Sequence, residues 1–242
     1  SNELGDWLSG VDSDKREGPV YSLGEGGLTT DQMRSCIRIM MLVCCILGLG
    51  MIRASFGTVF RIESQILIIL GGFAIWAAMN YTLGNRPYGY KGLGDLFVFI
   101  FFGLVSVMGS YFVASHSFNW SILMPGTAIG FFSVGVLNVN NIRDMESDAD
   151  SRVTIPLKLG ERRAKIYHTL LIVLGWSLML IFTFFNSTGL LPYLYVITLP
   201  LYIIHLTGVW KFSGKELDPM LPLLVMSTFL LALLAGAGFI LQ

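Results

Sequence analysis

The sequence LNVNNIRDMESDADSRVTIPLKLG, residues 137–160, follows a long apolar run and decides how the rest of the chain is interpreted. It contains Asp144 and Asp148, and on a helix that four-residue spacing places both carboxylates on one face. Asn141 lies about one turn earlier and joins the same face. Two carboxylates and an amide oxygen are ligands suited to Mg²⁺ that holds a phosphorylated substrate. Taken alone, the stretch is equally compatible with a solvated helix end that carries ordinary charges.

A second acidic segment lies near the start of the sequence, in NELGDWLSGVDSD. Asn2 and Asp6 have the spacing of neighbours on one helix face, and Glu3 lies beside them. The polar loop that follows adds Asp12 and, as a basic neighbour, Arg16. A solvated surface loop is the alternative interpretation of this segment.

The composition excludes most classes of protein. Hydrophobic residues make up 54% of the 242 residues and charged residues only 13%, whereas globular domains carry roughly 25% charge. A water-soluble fold is therefore not expected. The formal net charge is zero, which argues against a nucleic-acid partner.

Apolar runs recur along the chain at lengths that suit a lipid bilayer, which needs about 20 apolar residues per helix. The runs are 37–52, 65–81, 96–114, 120–137, 168–185, 190–210 and 220–241. The sequence therefore predicts an all-α, polytopic bundle with seven membrane helices.

The basic residues are distributed unevenly over the connections between these runs. Segments 1–36, 82–95, 138–167 and 211–219 fall on one side of the membrane, and with Arg38 they hold 14 of the 16 Lys and Arg. The positive-inside rule assigns that side to the cytoplasm. Both acidic segments are therefore expected on the cytoplasmic side of the plasma (inner) membrane.

Several basic and aromatic residues lie near the acidic segments and could hold phosphate oxygens. They are Arg86, Tyr90, Lys91, Arg143 and Arg152. The alternative is a set of positive-inside loops with interfacial tyrosines. Phe97, Phe99, Phe101 and Phe102 are most simply lipid-facing or packing residues, and the less favoured alternative is that they line a channel for an isoprenoid chain.

Two acidic motifs at the cytoplasmic ends of membrane helices resemble those of the UbiA superfamily of membrane prenyltransferases. NNIRDMESD is similar to its DxxxD element, and NELGDWLSGVD is similar to its NDxxDxxxxxD element, with Glu3 where Asp is usual. The stretch GLGDLFVFIFFG further resembles the menaquinone-pathway branch, which prenylates 1,4-dihydroxy-2-naphthoate. In that branch Lys is usual at the position of Arg152.

The resemblance implies a Mg²⁺-dependent transfer of a polyprenyl group from an allylic diphosphate to an aromatic acceptor, with loss of CO₂ when the acceptor is the naphthoate. It implies catalytic roles for Asp6, Asp144, Asp148 and Tyr81, whose ring could meet a carbocation. The implied metal ligands are Asn2, Glu3, Asp6, Asn141, Asp144 and Asp148. The implied substrate-binding residues are Asp12, Arg16, Arg86, Tyr90, Lys91, Arg143 and Arg152.

The family fold has nine membrane helices. Residues 1–242 are therefore expected to form a single domain of this type that lacks the first helix and most of the second.

Two alternatives remain at this point. One is a UbiA relative with another acceptor, such as 4-hydroxybenzoate, homogentisate, haem or a glycerol phosphate. The other is a transporter whose acidic clusters bind a permeating cation. A transporter should carry ionisable groups near the middle of the membrane, and the inner parts of the apolar runs contain few besides His205.

Overall fold

A computed structural model describes residues 2–9, 23, 27–84, 87–149 and 151–242, except for the side chains of Asn2 and Ser9. These residues are predominantly helical and form no β-strand. The all-α fold class is therefore confirmed. The α-helices are α1 Asn2–Ser9, α2 Thr30–Phe56, α3 Ile62–Asn80, α4 Gly94–Val98, α5 Ser106–Ser115, α6 Leu123–Arg143, α7 Met145–Asp148, α8 Ile155–Leu159, α9 Glu161–Asn186, α10 Leu199–Lys211 and α11 Met220–Ile240.

Within the described residues, seven helical segments are long and apolar enough to cross a membrane, as the sequence predicts. Short helices extend three of them. A 3₁₀ helix precedes each of α6, α10 and α11, and the π-helix Phe99–Val105 joins α4 to α5. The helix over the first apolar run is longer than that run, because Thr29 and Gln32 form a capping box that starts α2 in polar sequence.

The core of the bundle lies around α6, which packs against α9, α11 and the π-helix. Phe132 of α6 and Ile172 of α9 are fully buried in this core, together with Tyr202 of α10 and Leu224 of α11. By contrast, α2 and α3 bury few side chains and present apolar residues outward. Outward apolar surface of this kind is expected where a helix faces lipid.

Backbone contact between α6 and the π-helix depends on two glycines. A Cβ atom on Gly103 would lie 2.5 Å from the Cα atom of Gly130, and one on Gly130 would lie 2.7 Å from the ring of Phe99. No larger side chain fits at either position without moving a helix. A π-helix changes the angle at which successive side chains leave the axis, and such segments are frequent near functional sites.

The stretch 137–160 does not form one continuous helix. Helix α6 ends at Arg143, and α7 begins after Asp144, which has a backbone (φ −93°, ψ 10°) outside the helical region. The amide of Asp148 still donates to the carbonyl oxygen of Asp144 at 2.9 Å. The two aspartates therefore remain one turn apart, as the sequence predicts.

The helix order places the loop after α9 and the loop before α11 at opposite ends of the bundle. We expect cysteines introduced at Thr188 and Lys215, in a protein without Cys36, Cys44 and Cys45, to react with an impermeant maleimide from opposite sides of the membrane. Labelling of intact and opened vesicles measures this. Reaction of both cysteines from the same side would contradict the seven-span topology.

Candidate functional site

A cavity of about 510 Å³ opens at the end of the bundle where α1, α6, α7 and α11 meet. Its polar end contains three carboxylates, which belong to Asp6, Asp144 and Asp148. Asp6 comes from the first acidic segment and the other two come from the second. The fold therefore brings together acidic segments that are about 140 residues apart in the sequence.

The side chains of the three aspartates are 7–8% exposed, and buried charge is costly unless it is paired. Arg152 lies between the two acidic segments, with its Nη2 3.4 Å from Asp6 Oδ2 and its Nε 3.1 Å from Asp148 Oδ1. Burial disfavours the charged form of Arg152, but Asp148 and Asp6 outweigh this effect and raise its pKa above the ordinary value. The guanidinium therefore stays charged and links the segments.

Tyr90 completes this polar link. Its hydroxyl donates to Asp6 Oδ1 at 2.6 Å, and its ring centre lies 5.4 Å from the guanidinium carbon of Arg152. The carbonyl oxygen of Tyr90 also accepts from the amide of Val153 at 3.0 Å, so the loop after α3 is joined to the segment that carries Arg152. Tyr90 thus positions both Asp6 and Arg152.

Tyr81 lines the cavity, and two glycines leave room for it in this position. The amide of Gly89 donates to its carbonyl oxygen at 2.9 Å, and a Cβ atom on Gly89 would lie 2.5 Å from that oxygen. A Cβ atom on Gly94 would lie 3.0 Å from the Tyr81 hydroxyl. Only glycine therefore allows this approach at position 89.

A second chamber of about 720 Å³ adjoins the cavity on the other side of Tyr81. The two spaces share Tyr81, Val98, Phe102 and Leu137 in their linings. In the second chamber, Tyr88 stacks on Phe97 with ring centres 3.9 Å apart, and burial raises the pKa of Tyr88 to about 12. Apart from Glu3, the chamber is therefore lined by aromatic and apolar residues.

The four phenylalanines of this region have different positions. Phe97, Phe101 and Phe102 line the second chamber, whereas Phe99 packs against Phe131 with ring centres 5.3 Å apart. Phe97 and Phe101 also pack against each other, with ring centres 6.1 Å apart, and Phe102 is 64% exposed. The favoured sequence interpretation, lipid-facing or packing residues, therefore holds for all four, and three of them line the second chamber as well.

Four of the predicted site residues that the structure describes do not line the cavity, and one of them is Tyr90, which contacts Asp6 as described above. The carboxylate of Glu3 accepts from the amide of Leu23 at 2.9 Å and lines the second chamber, because Glu3 leaves α1 in another direction than Asp6. Arg143 lies behind Asp144, where it is bound by other residues of the protein. Lys91 is exposed and does not line the cavity.

Other predicted residues are placed as follows. Asn141 lines the cavity beside the three aspartates. Asp12, Arg16, Arg86 and the side chain of Asn2 lie outside the part of the chain that the structure describes.

The donors of the cavity are chemically suited to Mg²⁺. Among the described residues, no three acidic, histidine or cysteine side chains are grouped closely enough to hold a metal by themselves. Mg²⁺ rarely needs such a group, since it is usually bound by one or two carboxylates, waters and the phosphates of a substrate. The oxygens of the three aspartates and of Asn141 fit that mode of binding.

Sequence reasoning missed several residues at the polar end of the cavity, which are Thr82, Asn140 and Ser147. Asn140 is adjacent to Asn141 and its amide donates to Asp144 Oδ2 at 3.2 Å. Its i, i+4 spacing to Asp144 could have revealed that contact. Asp218 was also missed, and its contact with Arg143 spans 75 residues, so no local pattern in the sequence indicates it.

Comparison with known proteins identifies the family. The family model of the UbiA prenyltransferases matches residues 34–234. A 1,4-dihydroxy-2-naphthoate octaprenyltransferase of Escherichia coli is 35% identical over 221 residues, which are 91% of this chain and 70% of that protein. One of Haemophilus influenzae is 32% identical over 244 residues, with 99% of this chain and 78% of that protein covered.

A third relative is similar over a smaller part of both chains. A 1,4-dihydroxy-2-naphthoate octaprenyltransferase of Mycobacterium tuberculosis is 33% identical over 177 residues, which are 72% of this chain and 58% of that protein. No solved structure matches the chain. The family match and the first two relatives confirm the family resemblance that the acidic motifs indicate, and the chain is a multi-pass membrane protein that belongs to the UbiA prenyltransferase family.

Proposed function

We propose that residues 1–242, as a single domain, transfer a polyprenyl group from an allylic diphosphate to 1,4-dihydroxy-2-naphthoate, which yields demethylmenaquinone, diphosphate and CO₂. One observation carries the proposal: three buried carboxylates and Arg152 lie at the polar end of a cavity that continues between membrane helices. The names of the Escherichia coli and Haemophilus influenzae relatives support this acceptor.

The polar end of the cavity suits the diphosphate. When bound, Mg²⁺ held by Asp6, Asn141, Asp144 and Asp148 would neutralise the diphosphate and make it a better leaving group. Arg152 would donate hydrogen bonds to the diphosphate oxygens and stabilise the charge that develops on them.

The apolar part of the cavity suits the polyprenyl chain. Its walls follow α6 through Val136 and Phe132 and follow α11 through Leu221 and Val225. From Asp144 to Phe132 the wall extends roughly 18 Å into the membrane, at about 1.5 Å per helical residue. The chain would thus lie away from water, with its first carbon near the carboxylates.

Tyr81 lies where the two spaces meet, and its ring could stabilise positive charge that develops on the first prenyl carbon. The second chamber adds apolar volume on the far side of this ring. Apolar walls exclude water, which would otherwise capture the carbocation.

We further propose that the acidic segments face the cytoplasm, with the protein in the plasma (inner) membrane. The excess of Lys and Arg at that end of the bundle supports this orientation. The transporter alternative is less well supported, because His168 and His205 contact each other at 2.8 Å and do not line the cavity.

The acceptor is tested by incubating membranes that contain the protein with Mg²⁺, a polyprenyl diphosphate, and either 1,4-dihydroxy-2-naphthoate, 4-hydroxybenzoate or homogentisate. We expect mass spectrometry to find a prenylated, decarboxylated naphthoquinol. A product with another acceptor alone would refute the naphthoate assignment. Absence of any prenylated product would refute the proposed activity of this chain.

Asp144→Asn and Asp148→Asn should each lower the rate about 100-fold or more, because a lost carboxylate leaves charge uncompensated at the leaving group. Glu146→Gln is the matched control, since Glu146 lies in the same turn but is exposed. Rates are measured at saturating Mg²⁺ with the naphthoate as acceptor. Wild-type rates in either aspartate variant would contradict the metal role.

Arg152→Gln should lower the midpoint of thermal unfolding in EDTA, because Asp6 and Asp148 would lose the cation between them. Added Mg²⁺ should restore more of this loss in the variant than it adds to the wild-type protein. Arg162→Gln, at an exposed position of α9, is the control. An unchanged midpoint for Arg152→Gln in EDTA would show that the link between the acidic segments contributes little.

A further inference from the structure

Arg143 is held on all sides by oxygen atoms of the protein. Its Nε donates to Asp144 Oδ1 at 2.7 Å and its Nη2 donates to Asp144 Oδ2 at 2.8 Å. Its Nη1 donates to Asp218 Oδ1 at 3.0 Å, and Nη2 also contacts the side-chain oxygen of Asn140 at 2.9 Å. One guanidinium is thus shared by two carboxylates, only one of which lines the cavity.

The charge of this group determines what it can attract. Arg143 with Asp144 alone would be neutral, whereas Arg143 with Asp144 and Asp218 carries one net negative charge. The side chains of Arg143 and Asp144 are 5% and 8% exposed, so water screens the pair weakly. Asp218 therefore leaves Asp144 with part of the negative charge that the Asp144–Arg143 contact would otherwise cancel.

Asp218 is anchored, although its own side chain is half exposed. It follows Leu217, which is fully buried against Val139 and Ile142 of α6. The other end of the same loop is fixed by Lys165 of α9, whose Nζ donates to the carbonyl oxygen of Phe212 at 2.9 Å. A mobile surface ion pair contributes little, but this loop holds Asp218 against a buried partner.

We infer that Asp218 is a positioning residue that sets the cation affinity of Asp144 through Arg143. The inference rests on the proposed function, since it assumes that Asp144 binds a metal. Asp218 itself does not line the cavity. Its role is to share the positive charge of Arg143 and to hold the guanidinium in place at the end of α6.

The test uses Asp218→Asn, Asp218→Glu and the control Glu216→Gln, which changes an exposed carboxylate in the same loop. Mn²⁺ binding to the purified protein, without substrate, is measured by electron paramagnetic resonance. We expect the dissociation constant to rise about fivefold in Asp218→Asn, a modest change because Asp218 is partly screened by water. Asp218→Glu and Glu216→Gln should bind Mn²⁺ as the wild-type protein does.

A kinetic measurement separates positioning from general stability. In Asp218→Asn, the Mg²⁺ concentration for half-maximal rate should rise by a similar factor, while the rate at saturating Mg²⁺ is retained. Unchanged Mn²⁺ affinity in Asp218→Asn, alongside a loss in Asp148→Asn, would overturn this inference and leave the proposed function standing. A wild-type protein that binds no Mn²⁺ without substrate would overturn this inference, and one that also needs no Mg²⁺ for turnover would overturn the proposed metal role as well.

Discussion

The ionic link from Asp6 through Arg152 to Asp148 is the interaction on which the arrangement of the site depends. Three carboxylates on side chains with 7–8% exposure would repel one another at the edge of a membrane, where water screens charge poorly. One guanidinium placed between the two acidic segments removes most of that cost. It also fixes α1 against the segment after α7, so that residues about 140 positions apart in the sequence share one cavity.

The rest of the bundle supports this link because its packing fixes the position of α6. Gly103 and Gly130 allow the π-helix to approach α6 at backbone distance, while Ile172 and Leu224 pack against it from α9 and α11. Helices in lipid gain little from hydrophobic burial against one another, so close packing of small residues matters more. Because α6 ends at Arg143, its rigidity is transmitted directly to Asp144.

The sequence predicts the parts of this structure that local patterns determine. Seven spans follow from the lengths of the apolar runs, and the approach of Asp144 to Asp148 follows from helical periodicity. The distribution of basic residues places both acidic segments at one end, and the structure joins them through Arg152. These features depend on residues within one or two turns of each other, or on composition.

Features that depend on distant contacts could not be predicted in this way. Glu3 lines the second chamber, although it belongs to the first acidic motif. The pairing of Arg143 with Asp218 and that of His168 with His205 span 75 and 37 residues. The π-helix has no clear signature in the sequence, so the sequence does not predict which of its phenylalanines line the second chamber.

Two arginines divide the three carboxylates of the cavity between them, because Arg143 pairs with Asp144 whereas Arg152 pairs with Asp6 and Asp148. Arg143 is 5% exposed and makes four hydrogen bonds to protein oxygens, so displacing it would leave a buried charge uncompensated. Arg152 is 17% exposed and lines the cavity, and its Nε makes no well-aligned hydrogen bond within the described structure despite its 3.1 Å approach to Asp148. An incoming anion can therefore compete for Arg152 at lower cost than for Arg143. Under the proposed function, the site would combine a fixed cation, which holds Asp144 in place, with an exchangeable one, which would pass from carboxylate to diphosphate.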